Sequence, residues 1–216
     1  MNDKDYIRWF SDLGVGDVAM VGGKTASLGE LYSALSGEGV KVPNGFAITV
    51  QAYRDALTAA AAWAPLHKLL DGLDKSDVDL LAERATAARK LVHEATGGEE
   101  LRRQISAAYR DLKKQCGGTL SVAVRSSATA EDLPNASFAG QHDSYLNVRG
   151  EAALIEACRH CFASIFTERA IGYRLDNGFD GPAFQGACLV AVARHVSSPF
   201  PRGALGRSRG PTRRSS

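Results

Sequence analysis

The sequence predicts an α+β fold, and three observations point to it. Short runs rich in Val, Phe, Ile and Leu at Phe46 to Val50, Leu120 to Val124, His142 to Val148 and Gly186 to Ala193 read as strands. Between them, Asp77 to His93, Glu99 to Gln115 and Gly150 to Arg174 repeat apolar residues at helical spacing. A hydrophobic fraction of 44% over 216 residues supplies enough apolar surface for one sizeable domain or two small lobes sharing a core.

Taken in order, Lys4 to Phe10 is a short amphipathic element. Gly14, Gly16 and then Val21-Gly22-Gly23-Lys24-Thr25 mark a turn entering a helix, whose apolar face is read as Ala26, Leu28, Leu31 and Leu35. Asn44-Gly45 is a turn signal ahead of the Phe46 strand. Gln51 to Ala64 reads as a helix interrupted by Pro65. The two Ala-, Leu-, Arg- and Glu-rich helices that follow are separated by Gly97-Gly98 and closed by Gly117-Gly118. They form a helical insert near 71–115, read as a link between two lobes. The Thr119 strand then delivers Arg125-Ser126-Ser127 at its end. Phe138-Ala139-Gly140-Gln141 follows a polar segment and places Gly140 in or near a hairpin. A single long helix is expected from Gly150 to Arg174.

Net charge is +2, but Pro199 to Ser216 carries five arginines and no acid, so the first 198 residues stand at −3. The organisation expected is therefore an N-terminal portion over 1–196 and an Arg-rich, divergent and disordered tail over 197–216. Nucleic acid is not an expected partner, because that tail has only Phe200 as a stacking residue. No apolar run approaches the roughly 20 residues that span a bilayer, and the acidic opening is unlike an export signal, so no membrane partner and a cytoplasmic location are expected. Cys158 and Cys161 have the spacing of a redox pair or half a zinc site, yet they fall on the apolar side of a helical segment and are read as small buried residues. His67, His93, His142, His160 and His195 show no metal-like grouping in sequence, and no metal ligand is assigned.

Gly22-Gly23-Lys24-Thr25 resembles the end of a P-loop, but Val18 stands where the first glycine is required. Flexible backbone beside a lysine that reaches phosphate oxygens remains one reading, and an exposed lysine at a helix start is the other. Arg125 offers a bidentate phosphate contact with Ser126, Ser127 and Thr129 as neutral donors and Glu131-Asp132 to orient it; a structural ion pair is the alternative.

Three segments together resemble the phosphoenolpyruvate synthase (pyruvate, water dikinase) family: 21–30, reading VGGKTASLGE; 42–47, reading VPNGFA; and 123–141, reading AVRSSATAEDLPNASFAGQ. Phe162-Ala163-Ser164-Ile165-Phe166 and Arg169 to Arg174 extend the likeness. It weakens after Gly181, where Ala193 and His195 stand in place of the family's adenine-contacting glutamine and its methionine.

The resemblance implies an incomplete ATP-grasp nucleotide-binding domain of the pyruvate phosphate dikinase type. It carries Lys24 and Arg125 over as ATP-phosphate contacts, Gly140 as the glycine of the loop over the nucleotide, and Ser144 as a nearby ATP-contacting position. The implied enzyme is a phosphotransferase converting pyruvate, ATP and water to phosphoenolpyruvate, AMP and phosphate with Mg²⁺. Its magnesium ligands lie in a second lobe, its phosphocarrier histidine and pyruvate site in further domains, and a homo-oligomer belongs to the full-length enzyme. The chain is thus expected to be a truncated portion without identified catalytic residues. The alternatives are the corresponding part of a rifamycin-type phosphotransferase and a nonfunctional fragment.

Overall fold

The computed structural model describes residues 5–40, 42–117, 120–128, 132–133, 136–137, 144–176 and 188–194. Its centre is a five-stranded, wholly antiparallel sheet in the order β1-β2-β7-β3-β6, formed by β1 (Ile7–Trp9), β2 (Gly45–Ile48), β3 (Val122–Ala128), β6 (Ser144–Val148) and β7 (Cys188–Arg194). A two-residue ladder pairs β4 (Asp132–Leu133) with β5 (Ala136–Ser137). Eight α-helices flank these strands among the described residues: α1 (Val18–Val21), α2 (Gly23–Gly37), α3 (Val50–Ala59), α4 (Trp63–Leu70), α5 (Val78–Ala95), α6 (Glu99–Cys116), α7 (Glu151–Ala163) and α8 (Glu168–Asp176). The α+β expectation holds. No helix among the described residues is long and apolar enough to cross a membrane.

Local sequence explains most of the element ends. Thr49 and Asp77 cap α3 and α5 by accepting from the N–H groups of Ala52 and Leu80, donors that have no partner inside the first turn. Helix α6 buries Leu101, Ile105, Ala108, Tyr109 and Leu112, a stripe repeating every three to four residues, and ends at Gly117 with φ +59°.

Three expectations are corrected. The helix after Gln51 does not stop at Pro65: the chain turns at Ala61, with φ +50°, and Pro65 sits in the first turn of α4, where a missing N–H costs nothing. The helix expected from Gly150 to Arg174 is two helices joined by a 3₁₀ turn at Ser164–Phe166. There the Ser164 hydroxyl donates to the Cys161 carbonyl, and extended Thr167 accepts from the Ala170 N–H to start α8. On α2 the buried residues are Thr25, Ala26 and Gly29, while Leu28 and Leu31 are 37% and 48% exposed. The small residues decide this: a Cβ on Gly29 would lie 2.5 Å from the Leu13 Cβ and 2.6 Å from its carbonyl oxygen, so α2 rests on its smallest face.

The pleat of the sheet divides two cores. Phe46 and Ile48 on β2 and Val122 and Val124 on β3 join a large cluster with α3 to α8. Ala47, between Phe46 and Ile48, turns the other way into a smaller cluster with Phe10, Leu13, Val21 and Ala26. Helices α5 and α6, expected as a link between lobes, contribute Ala85, Val92, Ile105 and Leu112 to the same cluster as the strands. Gln104 on α6 also accepts the Tyr6 N–H at 2.9 Å, joining that helix to the start of β1. The tail over 197–216 lies outside the described residues.

Candidate functional site

The Gly-Gly-Lys-Thr segment is not a phosphate loop between strand and helix. It joins two helices: Gly22 donates to the Val18 carbonyl to close α1, and with φ +73° and ψ 159° it turns the chain directly into α2. An L side chain rarely adopts that backbone, which accounts for glycine at 22. Lys24 is the second residue of α2, exposed, at the end where unpaired N–H groups and the helix dipole favour an anion.

Strand β3 presents Arg125. Register fixes its face: Ala47 pairs with Ala191, Ala191 with Arg125, and Arg125 with Ser144, so these four positions form one row across β2, β7, β3 and β6. Cross-strand partners in an antiparallel sheet share a face, and Ala47 belongs to the cluster that includes Val21 of α1 and Ala26 of α2. Arg125 and Ser144 therefore lie on the α2 side of the sheet, both exposed, and α2 packs against β3.

The same alternation removes a residue from the expected donor set. Ser126 faces the large core and is 6% exposed, so it does not stand beside Arg125 as a phosphate donor. Thr129, Glu131 and Gly140 lie outside the described residues. Cys158 and Cys161 are both wholly buried, and burial pushes the Cys158 thiol up, with Cys161 adding to the effect. They pack as core residues, in keeping with the apolar helical spacing around them.

With the row and its facing helix in place, the relatives can be set beside them. The model of the pyruvate phosphate dikinase AMP/ATP-binding domain matches residues 18–198, well over half of the chain. The chain belongs to that family. The match runs from the residue that begins α1, through Lys24, Arg125 and Ser144, to beyond β7, and so reaches past Gly181, where the motif likeness thins.

Phosphoenolpyruvate synthase of Pseudomonas aeruginosa is 49% identical over 176 residues, 82% of this chain and 22% of the relative. The enzymes of the same name from Synechocystis sp. and Escherichia coli are each 45% identical, over 197 and 193 residues, covering 89% of this chain and 24% of each relative. The chain thus spans about a quarter of the length of the curated relatives it matches. As a member of an AMP/ATP-binding domain family it is a nucleotide-binding portion, and ATP is the ligand that membership supports.

Proposed function

We propose that this chain is the first lobe of an ATP-grasp module in a phosphoenolpyruvate synthase-like dikinase, with Lys24 and Arg125 contacting the ATP phosphates. The observation that carries the proposal is the shared face: the Arg125–Ser144 pair lies on the side of the sheet where α1 and α2 pack. A polyphosphate needs convergent positive charge, supplied here by a lysine at a helix start and an arginine on the strand that the helix contacts. Ser144, opposite Arg125 in register, adds a hydroxyl, and Gly140 is assigned to the covering loop by resemblance.

The reaction proposed for the whole enzyme converts pyruvate, ATP and water to phosphoenolpyruvate, AMP and phosphate. Within it this portion binds and orients nucleotide. Magnesium enters as the ion accompanying ATP. Among the described residues, the group of three metal-capable side chains that converges is on α5 and α7, helices that pack in the large core and not on the side of the sheet that holds α2 and Arg125, so no step is assigned to the ion here.

The test is nucleotide affinity measured by calorimetry on the chain. Arg125→Ala and Lys24→Ala should each weaken ATP binding about 10- to 100-fold, the loss expected for one charge-assisted contact of about 1.5–3 kcal/mol. Both residues are exposed, so the unfolding midpoint should stay put. Unchanged affinity in both variants would remove the assignment. These 216 residues, incubated with ATP, magnesium and pyruvate, should bind nucleotide without forming phosphoenolpyruvate; pyruvate-dependent AMP release would overturn that expectation.

A further inference from the structure

Helix α5 packs along α7, and where α5 nears its C-terminus three side chains separated in sequence converge. His93 Nε2 lies 2.7 Å from Glu156 Oε1, and His160 Nε2 approaches the same oxygen at 3.2 Å. Glu156 and His160 are one turn apart on α7, the spacing that places two side chains on one helix face. The imidazoles of His93 and His160 sit 4.8 Å apart between centroids, and Tyr145 of β6 stacks on His160 at 6.0 Å. One donor atom from each of the three residues fits within a 4.8 Å span.

We propose that His93, Glu156 and His160 form a binding site for a borderline divalent transition ion of the zinc class, which clamps α5 to α7. Two imidazole nitrogens and one carboxylate oxygen are the donor set such ions favour over magnesium or calcium. An ion with bonds of about 2.0–2.1 Å in a tetrahedral shell separates its donors by about 3.3 Å. The two histidine–carboxylate contacts, at 2.7 and 3.2 Å, are already close to that, while the whole donor set spans up to 4.8 Å, so the two imidazoles draw together on binding and water completes the shell.

Arg159 supplies an outer contact. Its Nη1 donates to Glu156 Oε2 at 3.0 Å, leaving Oε1 for the ion, and its Nε donates to the His93 carbonyl at 2.9 Å. Its Nη2 lies 3.1 Å from His93 Nδ1; since arginine only donates, Nδ1 accepts and the ring proton sits on Nε2, facing Glu156. The ion replaces that proton, which moves to Nδ1 through solvent. Arg159 gives up its Nδ1 contact and keeps the other two. Outer partners of this kind orient ligating side chains.

The site is independent of the nucleotide assignment, because it uses neither α2 nor β3. Zinc and cobalt titrations of the full chain, prepared without an affinity tag, test it. One ion per chain should bind, with a cobalt spectrum free of thiolate charge-transfer bands. His160→Ala and the isosteric Glu156→Gln should each weaken binding at least tenfold, and zinc should raise the unfolding midpoint of the parent chain but not of the variants. Both side chains are about half exposed, so the variants should fold. Absence of stoichiometric binding, a thiolate band, or binding untouched by both substitutions would overturn the proposal.

Discussion

Arg125 and Ser126 are neighbours on β3 with opposite surroundings: one is exposed on the α2 side of the sheet, the other buried against the large core. Chemistry that a motif makes contiguous is thus divided by the pleat. Arg125→Lys separates charge from geometry: the variant keeps one positive charge but loses the planar fork, so ATP affinity should fall between the parent and Arg125→Ala. Equal affinity of the Lys variant and the parent would show that point charge suffices. Tyr6 supports a pH prediction. Burial first, and then its hydrogen bond to the Asp55 carboxylate at 3.0 Å, push its phenol up to about 12 from 10.0. Because the folded state holds the proton more tightly, its contribution is fully present below pH 10 and is lost as pH rises toward 12. Alkaline unfolding followed by phenolate absorbance should therefore lose steepness between pH 10 and 12 in Tyr6→Phe; an identical profile would show that this phenol is not linked to folding.

At the scale of elements, α2 shows how packing is decided by the smallest side chain. Leucines at 28 and 31 suggest the buried stripe, but the backbone of Leu13 comes close enough to Gly29 that any Cβ there overlaps it. Gly29→Ala should destabilise the chain by about 1–3 kcal/mol, the usual cost of overpacking, even though alanine favours a helix by about 1 kcal/mol over glycine. Chemical denaturation reads the difference. Because α2 carries Lys24, the same variant should also weaken ATP binding, whereas Gly37→Ala, with open space around it, should do neither. The break between α7 and α8 has a similarly local cause, the Ser164 and Thr167 hydroxyls bonding backbone groups that a continuous helix would use.

For the molecule as a whole, the decisive feature is that α5 and α6 share one core with the sheet. Phe162 of α7 stacks on Tyr53 of α3 at 5.5 Å, and Ile105 and Leu112 of α6 lie in the same cluster as Val122 and Val124 of β3. Ile105→Ala should cost about 2–5 kcal/mol and lower a single unfolding transition seen alike by helix and tryptophan signals. Trp9, on β1, and Trp63, on α4, report from different elements, so two separated transitions would show that the helical pair melts by itself.

Family membership and most of the run of strands and helices were legible in the amino-acid sequence, the breaks at Ala61 and at Ser164–Phe166 excepted, because alternation, helical periodicity and glycine-marked turns are local properties of the chain. The three motif segments carried the nucleotide-binding reading for the same reason: their residues are contiguous. Tertiary structure alone decided which face each residue serves. The pairing of Arg125 with Ser144 and the exclusion of Ser126 depend on a register set by strands far apart in sequence. The burial of Gly29 in place of Leu28 depends on the approach of Leu13. His93 meets Glu156 and His160 only because α5 packs on α7, across 63 residues of chain that no local pattern links. Such contacts come from burying apolar surface on several elements at once, and a linear reading has no term for which elements will meet.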